Sequence, residues 1–172
     1  PEYEMVFNAK MNLARSLESG SRDTQKMRQK LLKMTKDDKN KEYLDQIYFT
    51  LAEMDINNSD TLSAIDNYLL STVNSIENNT QKSLSFLALA KIDYNRSFYK
   101  DAKINYDSTL FYMDEDFREY ESAKEKHEIL QELVYHLDVI SLQDSLQVLA
   151  ALPASELSQL ISQLIQAEVK KE

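Results

Sequence analysis

The eight residues Tyr48–Asp55, YFTLAEMD, return 38 positions later as FLALAKID, Phe86–Asp93. The echo runs well past those letters. At the same offset Leu51 answers Leu89, Ala52 answers Ala90, and Asp55 answers Asp93. Asn57/Asn95, Ser59/Ser97, Ala64/Ala102, Asn67/Asn105, Tyr68/Tyr106 and Ser71/Thr109 continue it. A period of this length is the mark of stacked supersecondary units. A single helix pair cannot bury both its faces, so residue sizes must recur wherever one unit meets the next.

Within each unit two apolar stretches follow helical spacing. Ile47, Leu51, Ala52 and Met54 share faces of the first helix; Ala64, Ile65, Tyr68, Leu69 and Val73 share those of the second. Asn58-Ser59-Asp60 reads as the connecting loop, with Ser59 or Asp60 as helix cap, and Asn78-Asn79-Thr80 marks the unit boundary. Small Ala52 and Ala64 let the helices approach, and Tyr68 fills space against the next unit. Composition agrees: one glycine, two prolines and no cysteine in 172 residues leave too little turn chemistry for a β-sandwich or a dinucleotide-binding fold.

The expected fold is all-α: about three helix pairs (3–38, 43–79 and 80–118, together residues 1–120), then a helical extension or cap over 121–172. The N-terminal pair rests on Phe7, Leu13, Ala14 and Leu17, a turn at Gly20-Ser21, then Met27, Leu31, Leu32 and Met34. A long helix follows from Ile129, Leu130, Leu133, Val134, Leu137, Ile140 and Leu142, with Leu146, Leu149 and Leu152 extending its apolar face. Pro153 opens a last helix with a seam of Leu157, Leu160, Ile161, Leu164 and Ile165, ending near Lys170-Lys171.

The aromatic, Leu-Ala, then Ala and Tyr pattern resembles the tetratricopeptide repeat. Tyr48 and Phe86 hold its aromatic slot and Ala52 and Ala90 its small slot. Each unit exceeds the usual length of about 34 residues. Asp55 and Asp93 stand where that repeat has tyrosine, and Ile76 and Asp114 where it closes on proline. In such arrays the first helices line a binding face. By resemblance Gln46, Phe49, Glu53, Ile56 and Asn57, with Leu84, Leu87, Lys91, Tyr94 and Asn95, form a groove for a helix or extended peptide. The competing reading makes these positions core, under terminal helices folded back over them.

Net charge is −9 and uneven: residues 1–41 carry +4 and the rest −13. That balance makes the chain a poor default nucleic-acid binder; the basic N-terminal part keeps the alternative open, against the commoner reading of its lysines as a solvated helix face. One glycine excludes phosphate loops, and the absence of cysteine excludes thiolate metal sites and disulfides. No apolar run is long enough to span a bilayer. Glu132 and His136, four apart, are the best pair for a metal, against a surface hydrogen bond. Asp55 and Asp93 read as capping or inter-helix hydrogen-bond acceptors rather than acid–base groups. The expectation is a non-enzyme without cofactor or metal.

Longer strings resemble the PorW/SprE proteins of Bacteroidota: Lys41–Tyr48 with Leu51-Ala52-Glu53, Thr80–Ala90, Tyr106-Asp107-Ser108-Thr109, Asp144–Gln147 and Leu149–Pro153. The match spans roughly residues 38–155. That resemblance implies a periplasmic lipoprotein of the outer membrane, part of type IX secretion and of gliding motility. Its partners would be the translocon and ring or motor components. The start at Pro1-Glu2-Tyr3 reads as that of a piece of a longer protein, with any lipid anchor outside this chain. The family also implies O-glycosylation at Asp-Ser/Thr, here Thr61, Ser108 and Ser145. The alternative reading is a generic cytoplasmic peptide- or chaperone-binding tetratricopeptide module.

Overall fold

A computed structural model describes residues 2–18 and 20–169. The described chain is helical throughout, with no strand: α1 (Glu2–Ser16), α2 (Arg22–Met34), a 3-10 turn (Asp38–Tyr43), α3 (Leu44–Asn57), α4 (Thr61–Asn74), α5 (Asn79–Asn95), α6 (Tyr99–Tyr112), α7 (Tyr120–Ala150) and α8 (Ala154–Val169). It divides into two compact units, the first ending at Gln131 and the second starting at Glu132. The first turns of α7 therefore belong with the first unit, where Ala123 and Leu130 are buried.

In the first unit α1 and α2 both pack on α3, α3 pairs with α4, α4 touches α5, and α5 pairs with α6. The core is continuous across α1–α3: Phe7, Met11, Ala14, Leu31, Ile47, Leu51 and Met54 form one cluster. Ala52, Ala64, Tyr68 and Leu89 form the next, between α3, α4 and α5. The four alanines that recur at the repeat offset, Ala52, Ala64, Ala90 and Ala102, have no exposed surface. Their size sets the approach of paired helices. Ala52→Leu is expected to lose about 1–3 kcal/mol by overpacking, read as a lower urea midpoint with unchanged slope.

The turns between paired helices are copies of one another. Asp60 N–H and Phe98 N–H each donate back, at 2.9 Å, to the carbonyls of Asp55 and Asp93. Ser59 and Ser97 both take the left-handed conformation, φ 61° and 63°. That region is disfavoured for residues bearing a Cβ, so the turn is held by its hydrogen bonds. The entry to the second helix differs. Asp60, not Ser59, caps α4 by accepting from Ser63 N–H at 3.1 Å, whereas Phe98 offers α6 no side-chain cap. Asn78 caps α5 through Gln81 N–H. In the N-terminal pair the left-handed residue is Gly20, φ 74°, and Ser21 caps α2 through Thr24 N–H.

Three expectations about facing are corrected. Leu13 is 50% exposed; Met11, two residues earlier on the other side of α1, holds the buried place. Leu69 and Val73 are 47% and 75% exposed and lie away from the Ala64/Tyr68 face. The inward side of α4 is taken by hydroxyls instead: Ser71, Thr72 and Ser75 are buried. Helical spacing admits both assignments, and the packing partner decides between them.

In the second unit the last residues of α7 lead through Ala151-Leu152 to α8, which opens after Pro153 as its sequence requires. Its large apolar side chains stand mostly open: Ile140, Leu142, Leu146, Ile161, Leu164 and Ile165 are all about half exposed. Lys170-Lys171 lie outside the described residues. No described helix is long and apolar enough to cross a membrane.

Candidate partner-binding surface

The repeat does more than set spacing; it also supplies the polar ties between helices. Asn67 Nδ2 on α4 donates to Asp55 Oδ2 at 2.7 Å, and Asn105 Nδ2 on α6 donates to Asp93 Oδ2 at 2.8 Å. Each Asp thus pins the second helix of its own unit. They do not pair with a tyrosine, nor with each other. The two copies then diverge. Asp55 is 3% exposed and also receives Arg28 from α2 through two guanidinium bonds of 3.0 and 3.3 Å. Asp93 has Asp66 at the place in the repeat where Asp55 has Arg28. Burial, and the nearby Asp101, push the Asp93 carboxyl up, against its bond from Asn105.

Two contacts join residues one repeat length apart. Arg15 Nε donates to Glu53 Oε2 at 2.6 Å across 38 positions. Gly20 N–H donates to Asn58 Oδ1 at 2.9 Å across the same 38. α1 therefore lies along α3 in the register of the sequence repeat, which the looser N-terminal pattern alone did not show. Adding the period to Arg15 and Gly20 would have named both partners in advance.

The expected groove residues fall into three groups. Phe49 and Glu53 are half-buried and engaged: Phe49 meets Tyr68 edge-on at 5.3 Å, and Arg15 covers its ring at 5.7 Å while pairing Glu53. Leu87 is 5% exposed and belongs to the interior; Gln46 and Leu84 are half-buried. Ile56, Asn57, Lys91 and Asn95 are open to solvent. Tyr94 is half-buried, edge-on to Tyr99 at 5.8 Å, with the Lys126 ammonium of α7 4.9 Å above its ring. A cleft of about 240 Å³ lies among Arg15, Glu53, Ile56, Asn57 and Tyr68. Small-molecule sites start near about 300 Å³, so the cleft suits a side chain of a partner better than a ligand. Burial, with Glu53 adding to it, pushes the Tyr68 hydroxyl well up, so it stays a neutral donor or acceptor there.

A second polar centre went unread in the sequence. Asp45, 2% exposed, opens α3 and gathers three elements. Its carboxylate accepts from Ser75 Oγ at 3.3 Å and Asn78 Nδ2 at 2.9 Å, and from Gln46 N–H at 2.8 Å. Its carbonyl accepts from Ser71 Oγ. Burial raises the Asp45 carboxyl above its ordinary value, against those hydrogen bonds. Only the tertiary contact between α3, α4 and α5 brings these residues together, 26 to 33 positions apart.

Glu132 and His136 stand 3.9 Å apart, both largely exposed. No group of three or more metal-ligating side chains occurs among the described residues. The proposed glycosylation positions differ in access. Thr61 and Ser108 are half-buried on α4 and α6, while Ser145 is exposed on α7. Ser108 and Ser145 hydroxyls donate to carbonyls one turn earlier, at 3.0 and 2.8 Å. No family model and no curated protein matches the chain.

Proposed function

We propose that this chain is a non-catalytic protein-interaction scaffold of stacked, tetratricopeptide-like helix pairs, acting as PorW/SprE proteins do in type IX secretion and gliding motility. The observation that carries the stacking is the pair of contacts one full repeat apart, Arg15 to Glu53 and Gly20 to Asn58. The matching turns at Ser59 and Ser97, each with a left-handed residue and a bond back to the Asp carbonyl, support a repeated helix pair. The binding surface on this reading is the line of first helices. Ile56, Asn57, Lys91 and Asn95 are its open positions. Along these helices the two copies differ in charge, Glu53 held by Arg15 against exposed Lys91, so each unit would recognise a different part of a partner. Attachment to the outer membrane would come through a lipid anchor outside this chain, and the location would be periplasmic.

The test is cross-linking in a type IX-secreting host, with the captured proteins identified by mass spectrometry. The expected result is recovery of translocon or ring components, reduced by Lys91→Glu. Recovery of no secretion component would overturn the assignment. Recovery of cytoplasmic chaperones in their place would favour the generic peptide-binding module.

A further inference from the structure

The outer face of α4 carries an apolar stripe that nothing in the first unit covers. Leu62, Leu69 and Val73 are 69%, 47% and 75% exposed, with Leu70 beside them at 43%; Ile76, 85% exposed, follows just past the helix end. Within the helix Leu62, Asp66, Leu69 and Val73 follow the alternating four- and three-residue steps of a coiled-coil seam. This seam faces away from Ala64, Tyr68 and Ser71, which hold the buried side of α4. The exposed area is on the order of 500 Å², at the upper end of the largest patch usual on a monomer.

The charge around the stripe selects its occupant. No Lys or Arg occurs between Lys41 and Lys82. Asp60, Asp66 and Glu77 are exposed along the stripe. The two cations near its ends are already engaged. Lys41, in the cleft beside Ile76, pairs with Asp38 at 2.9 Å. Arg28, which acts on Asp60, is held by Asp55. The exposed carboxylates Asp60, Asp66 and Glu77 along the stripe disfavour an anionic lipid surface or a nucleic acid here. Asp66 sits within the seam itself. Covering it without a counter-charge would strand a desolvated carboxylate.

We infer that the outer face of α4 docks an amphipathic helix of a partner protein, one with a Leu/Ile seam and a Lys or Arg placed against Asp66. This surface lies on a second helix, apart from the first-helix positions above, and does not depend on which protein they bind.

The test uses the full chain and two synthetic helical peptides with one shared Leu/Ile seam, bearing Lys or Glu at the seam's charged place. Binding is read by fluorescence anisotropy. The Lys peptide is expected to bind at least about ten-fold tighter than the Glu peptide. Val73→Lys should abolish its binding, and Asp66→Lys should invert the preference. Both positions are exposed, so both variants should keep the wild-type circular dichroism. Binding of neither peptide would overturn the inference, as would a preference that Asp66→Lys leaves unchanged. So would sedimentation showing that the wild type pairs with itself and that Val73→Lys breaks the pair, which would give the stripe to a second copy. None of these outcomes bears on whether secretion components are captured by the first-helix surface.

Discussion

Asp55→Ala is expected to unfold the first unit about 2–4 kcal/mol more easily, whereas Asp93→Ala costs about 0.5–1.5 kcal/mol. The two carboxylates occupy the same place in the repeat and hold the same Asn of the following helix. The difference is what else they do. Asp55 is almost fully enclosed and is the counter-ion of Arg28. Its removal leaves a guanidinium one-third exposed against the core, and a half-buried amide with no acceptor. The remaining exposure of Arg28 lets water recover part of the loss, which keeps the figure below that of a wholly buried pair. Asp93 is half-buried, and its loss strands only Asn105. Urea denaturation followed by circular dichroism measures both. Equal losses would show that the Arg28 link across α2 and α3 contributes nothing.

Asp45→Ala should lose about 2–4 kcal/mol. It strips the acceptor from the Asn78 amide, the cap of α5, and empties the buried place beside Ser75, whose hydroxyl keeps the Ser71 carbonyl at 2.9 Å. One substitution thus loosens the start of α3, the end of α4 and the start of α5 together. Asp45→Asn keeps the size and one acceptor, and isolates the charge. Burial raises the folded carboxyl above its ordinary value of 3.8. The folded state therefore binds the proton more tightly than the unfolded chain does. The resulting stabilisation is complete below the unfolded value and is lost as pH rises through the folded one. Relative to Asp45→Asn, the wild type should gain stability as pH falls from neutral towards 4. A difference between the two that stays flat over that range would show that Asp45 titrates alike in the folded and unfolded chain.

The positions that repeat in sequence were the ones whose fate could be read directly. Leu51, Ala52, Leu89 and Ala90 are buried as their recurrence requires. A core contact between like units restricts size at each copy, and size is written in the residue itself. Asn78 and Pro153 likewise mark helix starts by local chemistry, and the helices begin where they say. Side choice on α4 was less legible. Leu69 and Val73 fit a helical stripe as well as Ser71 and Ser75 do, and hydropathy favours the wrong set. The hydroxyls can take the interior because each finds a partner there: Ser71 meets the Asp45 carbonyl and Ser85 from distant parts of the chain, and Thr72 and Ser75 bond carbonyls one turn back.

The surface was legible as a set of exposed and engaged positions only after folding. Phe49 and Glu53 are drawn into contact by Arg15, and Leu87 by the interior, while Ile56, Asn57, Lys91 and Asn95 are exposed. By itself the sequence determined that the chain is helical, where most helices start, and the period at which small residues recur. These follow from backbone propensity, capping and size, which act within a few residues. Tertiary structure decided which faces are covered and which carboxylates are paired. It also left the α4 stripe open and the register of α1 on α3 set by the repeat. Those depend on groups tens of residues apart, whose proximity exists only once the helices have packed.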